Sequence, residues 1–390
     1  MPVNAGTGRP DVLIVGGGVV GCAVGRALAG RGLRVTIAER GRVGEEASAA
    51  AAGLLSPQSD GHAAGPLFDL LLASHRLYPD WARALEEETG QPVGYRRTGL
   101  LRCALSEPEE ARLSALLPWQ LERGLSVEWR DAEQLSKGVG LRVSPEARAG
   151  AFFPDEGLVD PRRLTRALAA SAGARGVTFC EEAPVRRFWI ERGRCRGVET
   201  DSGRLEAGRV VDAAGAWAFF DAGLPFVVPV EPVRGQIVEL DPQPERLAVV
   251  LQSENVYLAP HADGRLLVGS TLERVGFRKE VTASAVRDLL AAATRLAPPL
   301  AAARLVTAWA GLRPATPDGL PILGGCDVEG LFLAAGHFRN GILLAPITAA
   351  LMADALTGAA PADLEPFSVA RFGATLGPTK SPTPPAEVFG

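Results

Sequence analysis

The sequence is poor in the residues that build metal centres and disulfide frameworks. It has 5 cysteines and 4 histidines among 390 residues. Cys22, Cys103, Cys180, Cys195 and Cys326 are odd in number, widely spaced and form no Cys-x-x-Cys pair. That pattern argues against a disulfide scaffold or a zinc site and reads as buried free thiols. The histidines are equally scattered, so no metal is expected. Charge of one sign is also missing: 41 Lys and Arg stand against 45 Asp and Glu, a net charge of -4. Such a balance offers no electrostatic footprint for nucleic acid or an anionic membrane. No uninterrupted apolar run reaches the roughly 18 residues of a membrane span. The first residues lack the basic start, apolar core and small-residue cleavage site of a secretory leader. The expectation is a cytoplasmic protein with neither nucleic-acid nor membrane partners.

What is present is ordinary globular material, 47% hydrophobic and 22% charged, enough for a large core without covalent staples. Residues 11–15 read as a buried strand, 19–31 as a helix and 34–39 as a second strand, a βαβ unit that implies a parallel sheet. Residues 67–89 have helical apolar spacing. Pro161 at a first helical position, with Asp160 as N-cap, opens another helix. Short strands lead to Val210-Val211-Asp212. Residues 93–105 and 125–130 read as strand-like with a polar helical piece between them, 227–240, 247–259 and 265–271 as strands of a second sheet, and 282–297 as a helix. Parallel-sheet character returns at Leu331–Gly336, followed by a helix from about Ile342 to Leu356. This order predicts an α/β fold in which a Rossmann-like domain is interleaved with a mainly antiparallel α+β substrate domain. The nucleotide domain takes residues 10–90, 145–222 and 310–372. The substrate domain takes 91–144 and 223–309, and 373–390 form a loose tail.

Gly16-x-Gly18-x-x-Gly21 falls between the first strand and helix. The first glycine permits the tight turn, the second a close approach of backbone to pyrophosphate, and the third helix–strand packing. The helix N-terminus then offers free N–H groups to phosphate. Glu39, at the end of the second strand, stands where a carboxylate accepts from ribose hydroxyls. The glycine turn alone does not separate FAD from NAD. One such site near the start, together with a glycine-led strand–helix return at Gly336–Gly341 near the end, fits FAD. The second helix N-terminus would stabilise negative charge on a flavin ring.

Five segments carry a family resemblance over roughly residues 10–370. They are Val15–Gly21, the alanine-rich run ending Ala52-Gly53-Leu54-Leu55, Val256–Pro260, Trp309–Pro314 and Gly336–Pro346. The chain resembles the glycine oxidases of thiamine biosynthesis, within the FAD-dependent D-amino-acid oxidase family. The resemblance implies that Gly16, Gly18, Val19, Val20 and Gly21 lie at the pyrophosphate and Glu39 with Arg40 at the adenosine. Ala47, Ser48, Ala52, Gly53 and Leu54 would line the flavin, and Val185 would touch the adenine end. His337, Phe338, Arg339, Asn340, Gly341, Ile342 and Leu343 would wrap the pyrimidine edge, His337 as a cofactor contact rather than a base. Arg313 would hold the substrate carboxylate by two parallel charge-assisted bonds, helped by the Tyr257 phenol. Arg339 has two implied roles, shaping the backbone at the flavin or assisting with substrate charge. His62, His75 and His261 have no company that suggests chemistry. Gly311 stands where relatives that bind flavin covalently carry cysteine, so FAD is expected to be non-covalent. Gln252 replaces a second tyrosine found in some glycine oxidases.

The implied reaction is oxidative deamination of glycine, and of sarcosine or small D-amino acids, to an imine. The imine yields glyoxylate and ammonia or passes to thiazole synthesis, while O2 is reduced to H2O2. It needs no nucleophile–base pair: clamping the carboxylate aims the α C–H at the flavin. Two alternatives stand beside it. One is a D-amino-acid or secondary-amine dehydrogenase with another electron acceptor, and the other a non-catalytic FAD-binding subunit. The resemblance also implies a homotetramer.

Overall fold

Val12-Leu13-Ile14-Val15 is apolar throughout because both faces of its strand are covered. In the computed structural model Val12 and Ile14 enter a core with the helices Val19–Ala29, Pro66–Thr89, Pro161–Ala174 and Gly341–Thr357. Leu13 and Val15 face the other way, into a smaller core with Phe188, Val198 and Val210. The structure describes residues 9–373 apart from 62, 219–223, 225, 226, 245, 360 and 361. His62 and nearly all of the expected tail therefore lie outside the described residues.

This strand sits inside a six-stranded sheet. The order is Ile322–Gly325, Leu331–Ala335, Arg209–Asp212, Val12–Val15, Val35–Ala38, Thr178–Cys180. Every neighbouring pair is parallel except the edge strand Ile322–Gly325, which runs against Leu331–Ala335. A three-stranded meander, Val185–Glu191, Arg194–Thr200 and Gly203–Glu206, covers the second face. Asp160 caps the helix Pro161–Ala174 as expected, its carboxylate accepting from the Arg163 N–H at 3.0 Å.

The second sheet has eight strands. They run Arg304–Ala315, Glu231–Asp241, Leu266–Gly269, Tyr257–Pro260, Val250–Gln252, Leu100–Ala104, Ala149–Phe153, Glu128–Asp131. Pairing is antiparallel except between Val250–Gln252 and Leu100–Ala104. The helix Ala283–Leu296 lays Leu289, Ala293 and Leu296 on Val238, Leu258 and Val268. The segment 247–259, expected as one strand, is two strands folded on each other. Ser253-Glu254-Asn255 supply the turn, and polar turn formers at that point favour reversal over extension.

Two expected domain limits assign second-sheet residues to the nucleotide domain. Ala149–Phe153 lies beyond 145 yet pairs with Leu100–Ala104, its backbone partners. Arg304–Ala315 pairs along its length with Glu231–Asp241, so the limit at 310 cuts one strand. The long strand thus belongs to the second sheet while its far end reaches the first domain. By length and composition the stretch Phe338–Thr357 could cross a membrane, but 61% of its most apolar 18 residues are buried within the fold. It is the central core helix, packed on Val19–Ala29 and Pro66–Thr89. No disulfide joins the five cysteines, all of them described residues; four are buried and Cys326 is half-buried.

Candidate active site

The glycine turn has the shape its spacing predicts. Gly16 adopts φ +103° with the Ala213 carbonyl against it, where a Cβ would overlap. Gly21 lies against the Gly16 carbonyl, so the helix can begin there only without a side chain. Glu39 is buried at the end of its strand. Its two carboxylate oxygens accept from the Gly17 N–H at 2.7 Å and the Gly41 N–H at 2.9 Å. Ser48 Oγ accepts from the Val19 N–H at 2.9 Å, bringing the flavin-side segment to the helix N-terminus.

From this turn one long cleft runs between the two sheets. It gathers Gly16, Gly18, Val19, Val20, Glu39, Arg40, Ala47, Ser48, Ala52, Gly53, Leu54 and Val185 on one side. Tyr257, Arg313, His337, Phe338, Arg339, Asn340, Gly341 and Ile342 complete it. Two expected contacts stand off the cleft: Gly21 packs behind the turn, and the Leu343 side chain is in the helical core. The wall of small residues is continued by Gly311, where a Cβ would sit 2.5 Å from the Ala50 Cβ. Trp309 Nε1 donates to the Ala50 carbonyl at 3.1 Å and ties the long strand to that wall. His337 turns its ring away from chemistry, Nε2 lying 3.0 Å from Thr348 Oγ1. Burial brings its imidazole down to about 4, so it is neutral.

At the other end the antiparallel register aligns the polar groups. Tyr257 pairs with Gly269 and Val233 with Arg313. The Tyr257 hydroxyl lies over Gly269 and the Arg313 guanidinium over Gly235, positions where any Cβ would overlap them. Arg313 Nη1 donates to the Thr271 carbonyl at 3.1 Å and Nη2 to Ser270 Oγ at 2.7 Å. Ser270 and Tyr257 both line this end of the cleft beside Arg313. Burial pushes the phenol up, opposed by the Arg313 charge; burial lowers Arg313, opposed by Tyr257. The phenol stays un-ionised and the guanidinium cationic, so both offer donors at the same end of the cleft. Gly235, Gly269 and Ser270, together with Asp60 on the cleft wall, escaped the sequence reading. Gly235 lies within its strand and Gly269 ends its own, and a glycine in a strand is the local mark of a close approach. Ser270 and Asp60 carry no such mark.

Comparison with known proteins agrees with this geometry. The family model for FAD dependent oxidoreductases (DAO) matches residues 11–355. The chain belongs to the DAO family of FAD dependent oxidoreductases. It is 40% identical to a glycine oxidase of Geobacillus kaustophilus over 381 residues, covering 95% of this chain and 99% of that protein. It is 38% identical to the bifunctional protein ThiO/ThiG of Synechocystis, covering 94% of this chain but 55% of that longer protein. The crystal structure of the Geobacillus kaustophilus glycine oxidase superposes with a TM-score of 0.89 at 37% identity, over 94% of this chain and 99% of that one.

FAD is the family's cofactor, and the DAO-family cleft fits it. Trp217 Nε1 is a buried donor on the cleft wall without a partner among the described residues. The Arg40 guanidinium stacks over the Trp217 ring at 3.4 Å from its centroid and also pairs with Glu46. Glu39 offers a carboxylate at the ribose position, and the alanine–glycine wall admits a flat ring.

Proposed function

We propose that this chain oxidises glycine to an imine, releasing glyoxylate and ammonia on hydrolysis, with O2 as final electron acceptor. Sarcosine and small D-amino acids belong to the same substrate class. Arg313 binds the carboxylate, Tyr257 donates to the same group, and the predicted residues that line the cleft, a set without Gly21 and Leu343, cradle FAD. Bound FAD supplies the acceptor for two electrons. The protein's part is orientation. Arg313 has five N–H groups, and two are spent on Thr271 and Ser270. Those two bonds fix the guanidinium plane and leave donors for a carboxylate. A carboxylate so clamped leaves a two-carbon amino acid little freedom, which is how binding energy becomes a near-attack geometry. The neutral His337 leaves the amine undisturbed by a second base.

The observation that carries the reading is the pair of donors, Arg313 fixed by Thr271 and Ser270 with Tyr257 beside it, at the end of a cleft walled for FAD. The ThiO half of the bifunctional relative supports thiamine thiazole synthesis as the destination of the product. The reading also takes the enzyme as a homotetramer of the cytoplasm. The test is anaerobic addition of glycine to the purified yellow protein, followed by air. Bleaching, then recovery with one H2O2 per glyoxylate, is the expected result. A flavin spectrum unmoved by glycine, sarcosine or D-alanine would overturn it.

A further inference from the structure

The oxidation of a monocarboxylic amino acid uses one guanidinium, yet the Tyr257 end of the cleft holds two. Arg313 is anchored as described. Arg339, next to the helix Gly341–Thr357, places Nη2 3.5 Å from Asp60 Oδ1. Asp60 is itself held in place. Its Oδ2 accepts from Ser56 Oγ at 3.2 Å and its Oδ1 from Gln252 Nε2 at 3.3 Å. The loop that carries it is tied down below the cleft. The Gln58 and Ser59 N–H groups both donate to Glu156 Oε1, at 2.6 and 2.9 Å, and Arg102 donates to the Ser59 carbonyl at 2.5 Å. A carboxylate built into a substrate wall this firmly has a task there, and the deamination itself requires no acid at that point.

Charge balance supplies the task. Arg313 and Arg339 contribute two positive charges to this end and Asp60 one negative, a net of one. That matches a substrate with one carboxylate and a neutral amine. A second carboxylate would meet the Asp60 carboxylate instead of a cation, and like charges at such range oppose binding. We propose that Asp60 is a specificity-determining residue: by engaging Arg339 it closes the pocket to a second carboxylate and keeps the enzyme on monocarboxylic amino acids. The inference rests on the reading of Arg313 as carboxylate anchor.

The test uses FAD-loaded wild type, Asp60→Asn, Asp60→Ala, Asp60→Glu and the double variant Asp60→Asn/Arg339→Gln. Malonate and acetate, neither of them oxidised, are titrated against the flavin absorbance, giving a ratio of affinities independent of turnover. Iminodiacetate and D-aspartate are then compared with glycine by kcat/KM, since they carry the second carboxylate from the nitrogen and from the α-carbon. A released guanidinium gains a charge-assisted pair, worth at least about tenfold. The malonate-to-acetate ratio should rise about tenfold or more in Asp60→Asn and Asp60→Ala. At least one dicarboxylic substrate should gain similarly on glycine. Asp60→Glu should keep the wild-type ratio, and the double variant should return to it. Ratios within about threefold of wild type in both flavin-retaining single variants overturn the proposal, as does a raised ratio that survives loss of Arg339. A wild type inert to glycine defeats the proposed function before any variant is compared. A glycine-active wild type with unshifted ratios defeats only the role of Asp60.

Discussion

Arg313→Ala is the sharpest perturbation of the site, and its size follows from the bonds that the side chain makes. The guanidinium is held by Thr271 and Ser270, so its position does not depend on substrate. Little ordering is left to be lost on binding, and the interaction with a carboxylate is delivered nearly whole. Removing one partner of a buried, hydrogen-bonded charge pair costs about 2–5 kcal/mol. At about 1.4 kcal/mol per factor of ten, kcat/KM for glycine should fall by roughly 30-fold to several thousand-fold. KM should carry most of the loss, because the carboxylate is bound in ground and transition states alike. Arg313→Lys should fall between: it keeps the charge but loses the planar fork. The assay is steady-state H2O2 production with glycine, beside a flavin-to-protein absorbance ratio for each variant. A flavin-saturated Arg313→Ala enzyme within about threefold of wild type would refute the anchor.

Gly235→Ala places a methyl where the Arg313 guanidinium lies, and overpacking of about 1–3 kcal/mol should lower kcat/KM by roughly 5- to 150-fold with FAD retained. An unaffected variant would mean that the guanidinium does not need that position. Glu39→Gln removes the charge that accepts from Gly17 and Gly41 and faces the ribose position, so the Kd for FAD should rise about tenfold or more by apoprotein titration. Glu156 is fully buried with Oε2 unpartnered, and burial raises its carboxyl from 4.5 to about 8. The folded protein thus keeps a proton that the unfolded chain releases between those values. The stability contributed is fully present below about 4.5 and is lost as pH rises through about 8. Melting temperature should therefore fall from pH 6 to 9 in wild type and change less in Glu156→Gln; parallel profiles would contradict the assignment.

Much of the nucleotide domain could be read locally because its signals are local. A strand, three glycines, a helix and Glu39 lie within one βαβ unit, and Asp160-Pro161 announces a helix by cap chemistry alone. The substrate end was legible only in part. Arg313 and Tyr257 stand in segments that resemble a known family, but what fixes them does not. Gly235 faces Arg313 because two strands far apart in sequence pair antiparallel, and Gly269 faces Tyr257 across a short hairpin. No periodicity within either strand encodes that register. The segment 265–271, expected as one strand, leaves the sheet after Gly269, and this departure frees the Ser270 hydroxyl and the Thr271 carbonyl for Arg313. Asp60 sits among Ser, Pro and Gly, a composition that reads as a turn and nothing more.

The long strand Arg304–Ala315 explains why the two sheets make one site. Its outer residues belong wholly to the second sheet, paired with Glu231–Asp241. At Trp309 and Gly311 it touches the alanine wall of the first domain, through the indole bond to Ala50 and the contact with the Ala50 methyl. Two residues later Arg313 projects from the same strand face, since side chains alternate along a strand and positions 309, 311 and 313 share a side. The tryptophan, the glycine and the arginine are therefore not independent features. One fixes the strand against the cofactor wall, one lets it approach closely, and the third is delivered at the distance the other two set. A substitution at Gly311 should consequently damage substrate binding as well as FAD binding, even though it touches neither the carboxylate nor its anchor.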